Sequence, residues 1–263
     1  MAIGRRLRRW GAIAAMLASG AALAQDALVV DLPTRPGVTQ RFLYVPAAEP
    51  KAAAILFAGG DGGLRIDASG KFGWGGGNFL VRTRKMFADR GVSVAVIDAP
   101  SDRQAPPWLS GFRQSPAHAT DVRAVVAWLK AETKLPVWLV GTSAGTFSAA
   151  ATALANVGAD GLVLTSTIVF SARGDRTVAS MPLERLTMPV LVVHHRDDSC
   201  VSTPYALVPD MFAKLSGASR SKLVTFDGGK AEGDPCEAFA HHGYNGIEGR
   251  VVGTIVEFML AKP

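Results

Sequence analysis

Val137-Trp138-Leu139-Val140-Gly141-Thr142-Ser143-Ala144-Gly145 runs from four apolar residues into a G-x-S-x-G pentapeptide, and an alanine-rich stretch follows it. A short apolar run closed by glycine is the pattern of a buried strand, and the small residues after it suit a closely packed helix. At a strand-to-helix turn, G-x-S-x-G is the pattern of a nucleophile elbow, which lifts a serine hydroxyl clear of the backbone. So sharp a turn is crowded, and only small residues fit two positions either side of the serine, hence Gly141 and Gly145. A glycine-rich turn without chemistry would carry the same five letters. The reading therefore depends on whether the rest of the chain supplies a base, an acid and donors for an oxyanion.

Outward from this turn, short apolar runs alternate with segments of helical period. Strands are expected over 27–31, 40–45, 53–58, 92–97, 136–141, 161–165, 189–194 and 222–226. Helices are expected over 79–90, 119–131, 143–155 and 204–215, and from about 247 to the end. In the second of these Val122, Val125, Val126 and Leu129 follow the i, i+3, i+4, i+7 spacing of one helix face. Continuous apolar strands separated by helices imply an α/β chain with a mainly parallel, doubly wound sheet covered by helices on both faces. Sites in such sheets lie at the carboxyl ends of the strands. Gly59, Ser143, Ser166 and Asp197-Asp198 all fall just past expected strand ends.

Two loops at that edge stand out. Residues 59–77 are rich in glycine and carry Trp74; residues 100–117 hold Pro100, Pro106, Pro107 and Pro116 with Trp108 and Phe112. Trp74, Trp108 and Phe112 are candidate walls of an apolar cleft, or else residues that pack their own loops down. The interval from 166 to 189 is too short for a large cap domain.

The first 24 residues read as a secretory signal: Arg5, Arg6, Arg8 and Arg9, then an uncharged apolar stretch over 11–22, then Ala22-Leu23-Ala24 as a cleavage pattern. Cleavage after Ala24 implies a periplasmic or secreted protein with one domain over 25–263. The chain has 28 Lys and Arg against 22 Asp and Glu, net +6, but four of the arginines belong to the signal. The remainder is near +2, with no basic cluster of the kind that nucleic-acid binding requires. After the signal no stretch is long and apolar enough to span a bilayer. Cys200 and Cys236 are the two cysteines. In an oxidising compartment such a pair is a disulfide candidate.

With these elements in place the chain resembles the α/β-hydrolase superfamily, in its serine-esterase and dienelactone-hydrolase-like branch. The resemblance covers residue 40 onward and rests on the elbow, the order of residues and two loop motifs. The family order is nucleophile, acid, histidine. Comparison with the family's late strand and acid loop places the acid at Asp198 within His194-His195-Arg196-Asp197-Asp198-Ser199-Cys200-Val201. His195 stands where the family has glycine, so Asp197 remains the second choice. A shared metal site of His194, His195 and these aspartates is disfavoured because adjacent strand residues point to opposite faces. The family's His-Gly-aromatic motif places the base at His242, in Ala240-His241-His242-Gly243-Tyr244, with His241 the alternative. His118 reads as a hydrogen-bonding residue at a helix start. The oxyanion donors implied are the Ala144 backbone N–H and that of Gly60; Ala58 replaces the family's loop histidine, which leaves Asp61 as an alternative. A Cys200–Cys236 bridge would tie the acid loop to the histidine loop.

The expected activity is hydrolysis of carboxylic esters through an acyl-enzyme, by a Ser143-His242-Asp198 triad, with no cofactor and no metal. The substrate is expected to be a small-molecule or polymeric ester. A thioesterase, a peptidase, an acyltransferase, or a non-catalytic binding protein that keeps triad-like residues would use the same scaffold.

Overall fold

The computed structural model describes Met1, residues 26–172 and residues 176–261. The expected signal segment and its cleavage site lie outside the described residues. Among the described residues eight strands form a single sheet: β1 (Leu28–Arg35), β2 (Val38–Val45), β3 (Ala52–Phe57), β4 (Val92–Ile97), β5 (Val137–Thr142), β6 (Gly161–Thr165), β7 (Val190–His195) and β8 (Ser221–Phe226). Their spatial order is β1-β2-β4-β3-β5-β6-β7-β8. β1 and β2 pair antiparallel, β2 meets β4 antiparallel, and the five remaining pairings are parallel.

Among the described residues five helices cover the sheet: α1 (Phe79–Ala88), α2 (Pro116–Thr133), α3 (Gly145–Leu154), α4 (Val208–Ala213) and α5 (Glu248–Leu260). Side chains alternate across β3, so Ala52, Ala54 and Leu56 face one layer while Ala53, Ile55 and Phe57 face the other. The first layer is closed by α1 and α5, through Leu80, Phe87, Val251 and Ile255. The second is closed by α2, α3 and α4, through Val122, Val126, Ala149 and Met211. Strands β3 to β7 are buried along their whole length, which is why they read as unbroken apolar runs. No large cap domain is present among the described residues.

Local signals set the helix ends. Ser115 caps α2 by accepting the His118 N–H, with Pro116 in the first turn, so the helix opens three residues before the expected start at 119. The expected 204–215 helix is in fact a 3₁₀ turn over Tyr205–Leu207 followed by the short α4.

Candidate active site at the carboxyl edge of the sheet

Ser143 sits between β5 and α3 with φ at 52°, a left-handed conformation that L-residues rarely hold. The surroundings impose it. The Ser143 N–H donates to the Thr165 carbonyl (3.1 Å), and the Ser143 carbonyl accepts from the N–H (2.9 Å) and hydroxyl (2.6 Å) of Thr146. A Cβ on Gly141 would lie 2.6 Å from the Gly145 carbonyl oxygen, and one on Gly145 would strike the Phe57 carbonyl. Both glycines are thus required by close backbone approach.

The turn after β7 brings up Asp198. Its Oδ1 accepts the Cys200 N–H (3.0 Å); its Oδ2 accepts the Thr203 hydroxyl (2.8 Å) and lies 3.0 Å from His242 Nδ1. Burial alone would raise this carboxyl. Hydrogen bonds and charge from His194 and His242 outweigh that and hold it well below the usual carboxylate range. An ionised Asp198 only accepts, so His242 Nδ1 carries the hydrogen of this bond, and in the neutral ring the lone pair then lies on Nε2. That Nε2 is buried and has no hydrogen-bond partner.

Ser143, Ala144, Gly60 and His242 all line one open cleft of about 650 Å³. Its walls include Trp74, Phe79, Ile168 and Phe239, and its rim carries Glu232, Asp234 and Glu237 with no lysine or arginine among the described residues. Trp74 and Phe239 are solvent-exposed aromatics, free to meet a ligand. The Trp74 ring lies directly over Gly60, where any Cβ would strike it.

Several expectations change at this level. Trp108 and Phe112 are not cleft walls: they pack with Ala99 and Leu109 in a separate small cluster, and Trp108 presses on Gly63. Asp197 and His241 both point elsewhere. Their neighbour His195 stacks flat on His241 (4.4 Å between ring centres), meets the Gly228 carbonyl through Nε2 and accepts the Asp197 N–H at Nδ1. His195, Asp197 and His241 do place ligand-type atoms within 4.8 Å of one another. With both His195 nitrogens engaged, however, that ring has no lone pair left for a metal. His194 turns to the opposite face, 2.8 Å from the Thr203 carbonyl and 3.5 Å from Asp198 Oδ2. The His118 ring is buried between Phe57 and Phe112 with neither nitrogen bonded. Burial, with the charges of Arg113 and Arg35, pulls it down to about 3, so it is neutral.

Other residues that shape the site carried no motif. Arg113 is buried and donates to the carbonyls of Ala58 (3.2 Å) and Gly60 (2.9 Å) and to the Ser148 hydroxyl (2.9 Å). Burial lowers its guanidinium only to about 10, so it stays a cation. Asp98, at the end of β4, accepts the N–H groups of Leu64, Arg65, Ile66 and Ala99 at 2.7–3.2 Å and gathers the glycine-rich loop. On the other side the Ser166 hydroxyl donates to the His242 carbonyl (2.7 Å), and the Tyr244 hydroxyl donates to the Val193 carbonyl (2.9 Å) while accepting the Ser166 N–H. The Cys200–Cys236 bridge is formed, and both cysteines border the cleft.

No family model and no curated protein matches the sequence. Solved structures do share its fold. A lid-less α/β serine hydrolase from Xanthomonas campestris aligns over 90% of this chain and 96% of its own, at TM-score 0.58 and 17% identity. An esterase from Pyrococcus furiosus aligns over 89% and 91%, at TM-score 0.63 and 13% identity. A dienelactone hydrolase from Anabaena variabilis aligns over 90% and 98%, at TM-score 0.60 and 15% identity. At such identities the likeness is one of architecture.

Proposed function

We propose that this chain, which has the α/β-hydrolase fold, is a serine hydrolase that cleaves carboxylic esters. The observation that carries the proposal is the His242 imidazole. Its Nδ1 is committed to Asp198, while its Nε2 is buried and unpartnered, and His242 lines the same cleft as Ser143.

In this reading Ser143 Oγ attacks the ester carbonyl carbon as His242 Nε2 takes its proton. Asp198 holds the tautomer and stabilises the imidazolium. The carbonyl electron pair moves onto oxygen, where the Ala144 N–H, at the start of α3, and the Gly60 N–H receive it; each such donor is worth roughly 3 to 4 kcal/mol in the transition state. Collapse expels the alcohol with the proton returned from His242, and water releases the acid by the same steps in reverse order. Arg113 supports the donor loop by holding the Ala58 and Gly60 carbonyls from behind.

Location follows from chemistry too. A disulfide at the cleft suits an oxidising compartment, and the basic-then-apolar first 24 residues suit export. No helix among the described residues is long and apolar enough to cross a membrane.

The test is covalent labelling of the chain from residue 25 with a fluorophosphonate, together with turnover of an ester panel. Ser143 is the expected site of modification, and Ser143→Ala abolishes both labelling and turnover. Within the panel, esters with an anionic acyl group should be the poorest because of Glu232, Asp234 and Glu237. An unlabelled Ser143 with no turnover at any acyl length overturns the proposal in favour of a binding protein. Amide cleavage at rates equal to ester cleavage points to a peptidase.

A further inference from the structure

Gly59 is the entry point. Unlike Gly60, it does not have a positive φ, so its backbone conformation would accept other residues. Its requirement is one of space. A Cβ there would lie 2.9 Å from Ser143 Cβ and 3.4 Å from Asn78 Nδ2. The missing side chain therefore leaves the Ser143 Cβ, the Thr142 carbonyl oxygen and the Asn78 Nδ2 around one small space beside Gly59.

Asn78 is the N-cap of α1, and its Oδ1 accepts the Leu80 N–H at 3.2 Å. A backbone N–H can donate only to the amide oxygen, so this cap fixes which arm of the carboxamide is nitrogen. The Nδ2 arm is the one near Ser143. It donates to no protein group among the described residues, and Asn78 lines the same cleft as Gly60, Ser143, Ala144 and His242. A half-buried amide donor, oriented by its own oxygen, stands unused beside the nucleophile.

We propose that Asn78 is a catalytic residue: its Nδ2–H donates a hydrogen bond to the oxyanion that forms when Ser143 adds to the acyl carbon, as a side-chain partner to the Ala144 and Gly60 N–H groups. This rests on the serine-hydrolase reading above. No bond to Asn78 is made or broken. As the Ser143 Oγ–carbon bond forms, the carbonyl π pair moves to oxygen, the hydroxyl proton passes to His242 Nε2, and the amide answers the new charge without rearranging, because the helix cap already holds it. Gly59 then has a reason to lack a side chain: any Cβ would intrude on the space between donor and nucleophile.

Two variants keep the cap and remove the donor. Asn78→Ser retains an oxygen for the Leu80 N–H, and Asn78→Asp is nearly isosteric and an equally good cap. Expected for Asn78→Ser is a fall in kcat of about a hundredfold with KM within about twofold and an unchanged melting temperature. Asn78→Asp, which sets a negative charge beside the oxyanion, should fall further. Affinity for an arylboronic acid, which forms a tetrahedral adduct on serine, should fall by the same factor as kcat. The proposal is overturned if folded Asn78→Ser keeps kcat within twofold of the unsubstituted chain, or if KM rises while kcat and boronate affinity hold. If the unsubstituted chain neither turns over esters nor labels at Ser143, the hydrolase reading itself falls and takes this inference with it; ester turnover retained in Asn78→Ser removes this inference alone.

Discussion

The two halves of the site are held by opposite means. On the side of Gly60, the loop between β3 and α1 has few ladder partners for its backbone, and buried charged groups satisfy it: Asp98 collects three of its N–H groups and Arg113 two of its carbonyls. On the side of Asp198 and His242 a disulfide, the Ser166 hydroxyl and the Tyr244 hydroxyl are uncharged ties, and the Arg82 guanidinium on the Gly243 carbonyl is balanced by Glu248. The difference has an electrostatic logic. A structural cation beside Asp198 would compete with His242 for its charge, whereas a cation behind Gly60 favours the negative oxygen that the proposed reaction generates. In the proposed reaction, neutral ties suit the half that would move a proton, and charged ties suit the half that would only hold still.

Breaking the neutral half at its covalent point should have the largest effect. Cys200 and Cys236 are 36 residues apart, and closing a loop of that length stabilises a fold by about 4 kcal/mol in the chain-entropy model. A double Cys→Ser chain is expected to lose most of that in urea unfolding, with Asp198 and His242 losing registration as well. A loss below about 1 kcal/mol would show that the hydroxyl ties suffice without the bridge.

The charged half should yield less stability but comparable activity. Arg113→Met leaves two carbonyls and a buried hydroxyl without their donor, at about 2 to 3 kcal/mol, and frees the loop that carries Gly60. The expected outcome is a kcat reduced by about 10²-fold with little change in KM. Unaltered kcat in a folded Arg113→Met would remove the oxyanion side from the comparison.

The smallest effect sharpens the contrast through pH. Asp198 is held below its unfolded value, so its stabilising contribution is complete above about pH 4 and is lost as pH falls toward the folded value. Stability measured from pH 7 down to pH 2 should therefore decline less steeply in Asp198→Asn than in the unsubstituted chain. Parallel declines would mean that other carboxylates set the acid limb.

Much of this architecture was legible in the residue order. Strands β3 to β7 are buried on both faces and so appear as apolar runs that no turn residue interrupts. β1 runs to Arg35, past Pro33, because an edge strand tolerates a residue without an N–H. α3 opens at Gly145, two residues later than its small residues suggest, because Ser143 belongs to the turn. The parts that could not be read are those made by distance in sequence. Arg113 and Gly60, or Ser166 and His242, are brought together only by the folded sheet, and no local spacing encodes a buried side chain that serves a far backbone. Trp108 and Phe112 share composition with Trp74, yet only the fold decides that two of the three rings turn inward.

Arg82, on α1, donates to the Gly77 carbonyl and to the Gly243 carbonyl, each at 2.6 Å, and is balanced by Glu248 of α5 at 3.0 Å. One guanidinium thus grips the loop that leads to Asn78 and the loop that follows His242. Mechanically, the two halves share a single pivot: a shift of α1 displaces the donor side and the base side together, so the distance between them is the quantity that the helix conserves.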